Sequence, residues 1–180
     1  AMGFKEMRPS AVETEFWNFD ALITPQSHPT RSEGDTYYLR SPKQGNLPDK
    51  ELVEKVKQKH KESWKYDWQE SKAKRLILNS HTTWLSAKHL LKDKNYPLRY
   101  FSIGRIFRRD VLDATHLPEF NHMEGIVADE SLTLRDLLGV LESFAVEIGG
   151  IKNPKDIKFK AAYFPYTEPS VELFAKHPAV

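Results

Sequence analysis

The chain contains no cysteine, which removes disulfides, thiolate metal ligands and thiol nucleophiles together and is compatible with a reducing compartment. Glycine is scarce, at 8 of 180 residues, and its one adjacent pair, Gly149-Gly150, ends a helical pattern instead of opening one. There is accordingly no phosphate-cradling P-loop and no dinucleotide fingerprint. No apolar run approaches the roughly 20 residues that a membrane-spanning helix needs, and the N-terminus lacks the basic-then-apolar order of a secretion signal. These absences point to a cytosolic protein with no membrane partner. An excess of charge is missing too: 27 lysines and arginines face 25 aspartates and glutamates, so any contact with nucleic acid must come from a local patch. The seven histidines are scattered. His81 and His89 lie across a strand-to-helix junction, and His116 and His122 flank a loop, so no pair has zinc-site spacing and no protein metal site is expected. Ser80 and His81 are sequence neighbours, which supports no nucleophilic triad.

What is present is enough for one domain with a substantial core. Lys50–Ser63 reads as a polar surface helix with Asp49 as its cap and a thin apolar stripe of Leu52, Val53 and Val56. TYYLRSP reads as a short β-type run, and Trp64, Tyr66 and Trp68 as an extended aromatic segment packed on one side. LILNSHTTWLSAKHLLKD changes from strand to a helix that buries Leu85, His89 or Leu90, and Leu91, with Ser80, Thr82 or Thr83 as the cap. Leu134, Leu137, Leu138, Leu141 and Phe144 recur at helical spacing between a Thr133 cap and the Gly149-Gly150 stop. IKFKAAYFPYTEPSVELFA gives two strands divided at a proline bend. Several adjacent strands with hairpin-length joins, interspersed with helices, predict an α+β fold built on an antiparallel sheet with helices against one face.

The residues from Leu98 to Asp129 concentrate the chemistry. In the first predicted strand Tyr100, Ser102, Gly104, Ile106 and Arg108 share one face, a small-residue floor, while Phe101, Ile103, Arg105 and Phe107 share a bulky, greasy one. In the second, Phe120, His122 and Glu124 fall on a single face. Arg105, Arg108 and Arg109 suit bidentate phosphate or carboxylate binding, with a salt bridge to Asp110 or Asp113 as the competing explanation. Glu124 stands among apolar neighbours and so requires a cationic partner or a ligand amine. Two prolines restrain the backbone around Phe164, Tyr166 and Glu168.

Taken together, ETEFWNFDALITPQSHPTRSEGDTYYL, the SHTT at Ser80 to Thr83, YFSIGRIFRRDVLDATHLPEF, MEGIVADESLTL and AAYFPYTEPSVELF resemble one family over nearly the whole chain. That family is the α subunit of phenylalanyl-tRNA synthetase, of the archaeal and eukaryotic-cytosolic kind, among the class II aminoacyl-tRNA synthetases. The resemblance implies an antiparallel class II catalytic sheet that activates phenylalanine with ATP and transfers it to tRNA. It implies Mg²⁺ accompanying ATP, a synthetase β subunit as partner, and an assembly of two α and two β subunits. By this match Arg108 holds the α-phosphate and the substrate carboxylate and is the catalytic residue. ATP is further met by Asp110, by His116 near its tail and by Phe120 stacked on adenine. The amino acid is met by His81, Thr83, His122 and Glu124, and its phenyl ring by Phe164 and Tyr166. Three departures stand out: Asp110 in place of Glu, Asn79 in place of Arg, and Asn121-His122 in place of His-Gln. The opening Ala1-Met2 reads as an addition before a natural start. The third motif of the family is expected beyond Val180, which leaves the site as given incomplete. Two further readings stay open on these departures: a paralogue or fragment that binds an amino acid or adenylate without charging tRNA, and a protein that uses the surface for association alone.

Overall fold

A computed structural model describes residues 3–114, 116–164 and 166–176. The sequence reading treats the chain as one unit; its packing divides into two compact units, Ala1–Val127 and Ala128–Val180.

The first unit opens with β1 (Lys5–Glu6), β2 (Val12–Thr14) and the short helix α1 (Glu15–Asn18), and passes through two 3-10 turns to α2 (Lys50–Trp64). Asp49 caps α2 as expected, its carboxylate accepting the Leu52 N–H at 2.9 Å, and Lys65 ends it in the left-handed conformation. Helix α3 (Glu70–Ala73) leads into β3 (Leu76–Leu78), α4 (Thr83–Lys92) and the two long strands β4 (Leu98–Phe107) and β5 (Glu119–Ala128). One sheet has the order β1-β4-β5, and β2 pairs with β3 in another. β2–β3 is antiparallel, as the sequence predicts, whereas β1 runs parallel to β4. A parallel neighbour requires a long crossover, and the many residues between β1 and β4 supply one.

The core of this unit gathers Met7, Phe16, Trp17, Val53, Val56, Ala73, Trp84 and Leu85. α2 therefore contributes its thin stripe through Val53 and Val56. α4 is turned differently from the sequence reading: it buries Trp84, Leu85 and Ser86, while Leu91 is exposed. TYYLRSP lies beside β3 without becoming a strand; Tyr38 bridges to Ile77, and the Leu39 N–H donates to the Leu76 carbonyl. Trp64, Tyr66 and Trp68 do not form one extended segment either, because Trp64 belongs to α2. All three nevertheless turn their polar tips to one neighbouring segment: Trp64 Nε1–H donates to the Ile23 carbonyl, Tyr66 Oη accepts from the Gln26 N–H, and Trp68 Nε1–H donates to Asp20.

A charged network lies beneath this surface. Arg31 is sealed from solvent and donates to Asp20 Oδ1 at 3.1 Å and to the Thr24 carbonyl, with Glu15 Oε1 at 3.9 Å. Glu15 also takes Arg75 Nε at 2.5 Å and the Tyr38 hydroxyl at 2.9 Å. Burial pushes the Glu15 carboxyl upward against the pull of Arg75 and Arg31. His60 is wholly buried; Nε2–H donates to the Asp20 carbonyl at 2.8 Å, which leaves Nδ1 to accept from Tyr66 Oη at 2.8 Å. Desolvation lowers its pKa.

The second unit holds α5 (Leu134–Glu147) and the antiparallel hairpin β6 (Ile157–Phe164) and β7 (Thr167–Ala175). Asp136 accepts the Thr133 N–H at 2.8 Å and its hydroxyl at 2.6 Å, fixing the start of α5 where the sequence places it. The stop is also where expected: Gly150 takes φ 69°, and a Cβ on Gly149 would meet the Ala145 carbonyl oxygen at 2.6 Å. The apolar stripe of the helix is less covered than its periodicity suggests, since Ala145 is its one buried residue. A single two-stranded hairpin offers little surface against which to bury it. Among the described residues no helix is long and apolar enough to cross a membrane.

Candidate amino-acid and nucleotide site

The even-numbered face of β4 is the buried one: Leu98, Ser102, Gly104 and Ile106 are enclosed, whereas Ile103 and Arg105 on the bulky face are open. In β5 the half-buried residues include Phe120, His122, Glu124 and Ile126, in keeping with a two-residue period. The small-residue floor therefore lies against the start of α4, and the groups of interest on β5 are turned to the same start.

Glu124 is held there by hydroxyls from one helical turn. Thr83 Oγ1 donates to Oε2 at 2.7 Å and Ser86 Oγ donates to Oε1 at 2.7 Å, residues three apart that share a face of α4. Thr82 Oγ1 lies 3.4 Å from Oε2 and 3.0 Å from His122 Nδ1. Among the described residues no cation pairs with this carboxylate. It is oriented by neutral donors alone. Thr83 and Glu124 are thus brought together, and His122 joins them through Thr82. Ser86 was not foreseen; the signal available was its spacing from Thr83 on a helix that starts at the SHTT.

His81 donates Nε2–H to the Asn18 carbonyl at 2.7 Å, so Nδ1 is its acceptor; that atom is buried and unpartnered. Desolvation carries the imidazole pKa down to about 4, with the charges of His122 and Arg108 acting in the same sense. His122 is lowered as well, by burial and by Arg108, against the pull of Glu124. The Asn at position 79 has a structural role. It is buried, donates to the Ser10 carbonyl at 2.6 Å and accepts from Asn18 Nδ2 at 3.1 Å, which steadies the backbone that holds His81.

Arg108, just beyond β4, donates Nε–H to the Ser80 carbonyl at 3.3 Å and has its guanidinium 5.5 Å from the Phe120 ring centroid. Among the described residues it has no carboxylate partner, so neither Asp110 nor Asp113 takes it. Arg105 instead pairs with Glu119 at 2.9 Å, and Arg109 is occupied by the Glu33 carbonyl and the Tyr37 ring. His116 closes on Asp113, Nδ1 at 2.8 Å and its N–H at 2.9 Å from Oδ1, within the loop joining β4 to β5. Asp110 is exposed in that loop. Phe164 and Tyr166 belong to the second unit, where their ring centroids are 6.5 Å apart. No group of three or more His, Asp or Glu that could hold a metal ion occurs among the described residues.

The first unit thus offers a free guanidinium over an aromatic ring, an oriented carboxylate and an unpaired imidazole acceptor. The profile of the tRNA synthetases class II core domain (F) matches residues 1–179. The chain belongs to this family. As a class II synthetase core domain it is 51% identical over 184 residues to the phenylalanine–tRNA ligase alpha subunit of Pyrococcus horikoshii and 46% identical over 176 residues to that of Methanocaldococcus jannaschii. Those alignments cover 98% and 96% of this chain but 36% of each relative, so the domain spans about a third of their length. A pyrrolysyl tRNA synthetase from Desulfitobacterium hafniense shares the fold at a TM-score of 0.59 and 14% identity, covering 96% of this chain and 49% of that one. The α+β class II architecture expected from the sequence is therefore the one observed.

The histidines of the class II domain make its stability depend on acid. For His81 the folded pKa is about 4 and the ordinary value 6.5, so below pH 6.5 the unfolded chain binds a proton that the folded chain refuses. Stability is fully present above pH 6.5 and falls as pH drops toward 4, by roughly 3 kcal/mol for a shift of this size. His60 and His122 are lowered too and act in the same direction. Glu15, raised by burial, opposes them at the acid end. Urea unfolding at pH 7, 5.5 and 4.5 is expected to show midpoints falling in that order, and His81→Asn is expected to flatten the fall. A midpoint unchanged across this range would contradict the assignment.

Proposed function

We propose that this domain is the part of a phenylalanine–tRNA ligase α subunit that forms phenylalanyl-adenylate from phenylalanine and ATP, before transfer to tRNA. The observation that carries this reading is Glu124, a carboxylate held by the hydroxyls of Thr83 and Ser86 and paired with no cation among the described residues, close enough to Arg108 that both act on the His122 ring. A carboxylate of this kind suits an α-ammonium, and a free guanidinium suits a carboxylate and the α-phosphate it attacks.

In the proposed complex, His81 presents Nδ1 as a fixed acceptor for a second ammonium hydrogen. Arg108 draws the substrate carboxylate toward the α-phosphorus and stabilises the charge that builds there, so the chemistry rests on positioning and electrostatics without a covalent enzyme intermediate. Adenine stacks on Phe120, and Asp110 and His116 lie toward the polyphosphate. Mg²⁺ enters with ATP, held mainly by the phosphates. The partners proposed for the whole protein are tRNA and a synthetase β subunit, in an assembly of two α and two β, and its location is the cytoplasm.

The test is phenylalanine-dependent exchange of pyrophosphate into ATP by the full-length subunit assembled with its partner. Exchange that appears with phenylalanine and not with tyrosine or leucine is the expected result. No phenylalanine-dependent exchange would sink the proposal.

A further inference from the structure

Glu124 and His122 share one hydroxyl. Thr82 Oγ1 is 3.0 Å from His122 Nδ1 and 3.4 Å from Glu124 Oε2, and a threonine hydroxyl has a single proton to give. It can serve only one of the two at a time. Nor can the side chain turn away: Thr82 is 1% exposed, and its methyl fills the space beside Gly104, where an added Cβ would stand 2.6 Å from Thr82 Cγ2 and 2.8 Å from Pro9 Cγ. A β-branched residue with its methyl seated in this way has its χ1 set. Gly104 thereby points the hydroxyl at β5.

We propose that Thr82 is a positioning residue that couples the protonation of His122 to the hydrogen bonding of Glu124, and so makes the hold on the substrate amine depend on pH. With His122 neutral and its proton on Nε2, Thr82 donates to Nδ1. Glu124 then has two donors, Thr83 and Ser86, and lone pairs left over for an ammonium. When His122 takes up a proton, Nδ1–H donates to Thr82 Oγ1 and the hydroxyl proton turns to Glu124 Oε2. The carboxylate gains a third donor and a positive neighbour, and both weaken its attraction for a cation. The charged and titratable groups acting on His122 are Glu124 from β5, Arg108 from the end of β4 and His81 from the junction before α4. Burial and Arg108 favour the neutral ring and Glu124 the charged one, which places the switch on the acid side of neutrality, where His81 is still uncharged. The coupling itself needs no ligand; its consequence for the substrate rests on the function proposed above.

The coupling is read by ¹⁵N NMR of the imidazoles in this chain without ligand, with the His122 signal assigned by its loss in His122→Gln. The wild type is expected to carry the neutral proton on Nε2. Thr82→Val, which keeps the methyl beside Gly104 and removes the hydroxyl, is expected to lower the His122 midpoint by about half a pH unit or more through loss of a charge-assisted bond. Thr82→Ser restores it. A neutral wild-type ring protonated on Nδ1, or a Thr82→Val midpoint equal to wild type, overturns the coupling, and the first of these is read on the wild type, with His122→Gln needed only to assign the signal. In the assembled enzyme, KM for phenylalanine is expected to rise on the order of tenfold as pH falls through the His122 midpoint, with a smaller change in kcat, and to be flat in His122→Gln. A wild-type KM that ignores that midpoint overturns the link to substrate. Absence of any phenylalanine-dependent exchange strikes the functional reading instead, and the ligand-free titration still decides the coupling.

Discussion

Arg108→Ala in the assembled enzyme is expected to reduce phenylalanine-dependent pyrophosphate exchange by at least about 10²–10³-fold, the scale of removing one preorganised donor from a developing negative charge. Two contacts hold the guanidinium and neither neutralises it: Nε–H is turned to the Ser80 carbonyl, and the plane lies near the Phe120 ring. The terminal nitrogens are left for an anion. Arg108→Lys is expected to recover little, because an ammonium cannot bind two oxygens in a fork or stack on the ring in the same manner. The loss should appear mainly in kcat, since charge on the α-phosphorus is greatest in the transition state. Exchange within tenfold of wild type in Arg108→Ala, with the fold intact by circular dichroism, would remove the residue from its proposed place.

Arg31→Ala is expected to be the most damaging substitution to stability outside the hydrophobic core. Arg31 is sealed from solvent, as are the Asp20 and Glu15 carboxylates on either side of it. Deleting one member of a buried ionic cluster strands its partners, which typically costs about 3–5 kcal/mol. Asp20 would retain Trp68 Nε1–H and Gln26 Nε2–H as donors, and Glu15 would retain Arg75 and Tyr38. Those contacts limit the damage to one uncompensated charge instead of two. Urea unfolding at pH 7 gives the value directly, and a loss below about 1 kcal/mol would show that solvent reaches the cluster. Arg31→Met, similar in length and uncharged, should be nearly as harmful, which separates the missing charge from missing volume.

Much of this molecule is legible from local pattern. Asp49 before Lys50, Thr133 before Leu134, and the glycines at 149 and 150 mark helix ends because caps act over three or four residues, all of them visible in the string. The parity of β4 and β5 is legible too, since the strand period is strict: Ser102, Gly104 and Ile106 go inward together, and so do His122 and Glu124. The stripe of α5 shows the limit. Its period is plain, yet its burial depends on how much surface the neighbouring hairpin offers. α4 shows it again, because a helix with apolar residues on several sides can turn either Leu91 or Trp84 to a core, and only the position of Phe16 and Trp17 selects Trp84.

At the candidate site the division is sharper. Arg108 and Glu124 stand out in the sequence alone, because a charge set among apolar residues needs an explanation wherever it occurs, whereas His81 and Thr83 are named only by the family resemblance. Which arginine would be left without a partner cannot be read there: Arg105, Arg108 and Arg109 are alike in sequence, and Glu119, Glu33 and Tyr37 settle which two are occupied.

The string alone settles the family, the caps of α2 and α5 and the faces of β4 and β5, all of which rest on neighbours within a few positions or on long motif phrases. Tertiary structure alone decided that Thr82 stands between His122 and Glu124, that Ser86 completes the cradle of that carboxylate, and that Asn18 makes His81 an acceptor. Each of these joins residues about 40 to 60 positions apart. No local pattern carries such a pairing, because the hydrogen bond exists only once separate elements have packed and a close approach such as Gly104 allows has fixed which atoms face one another.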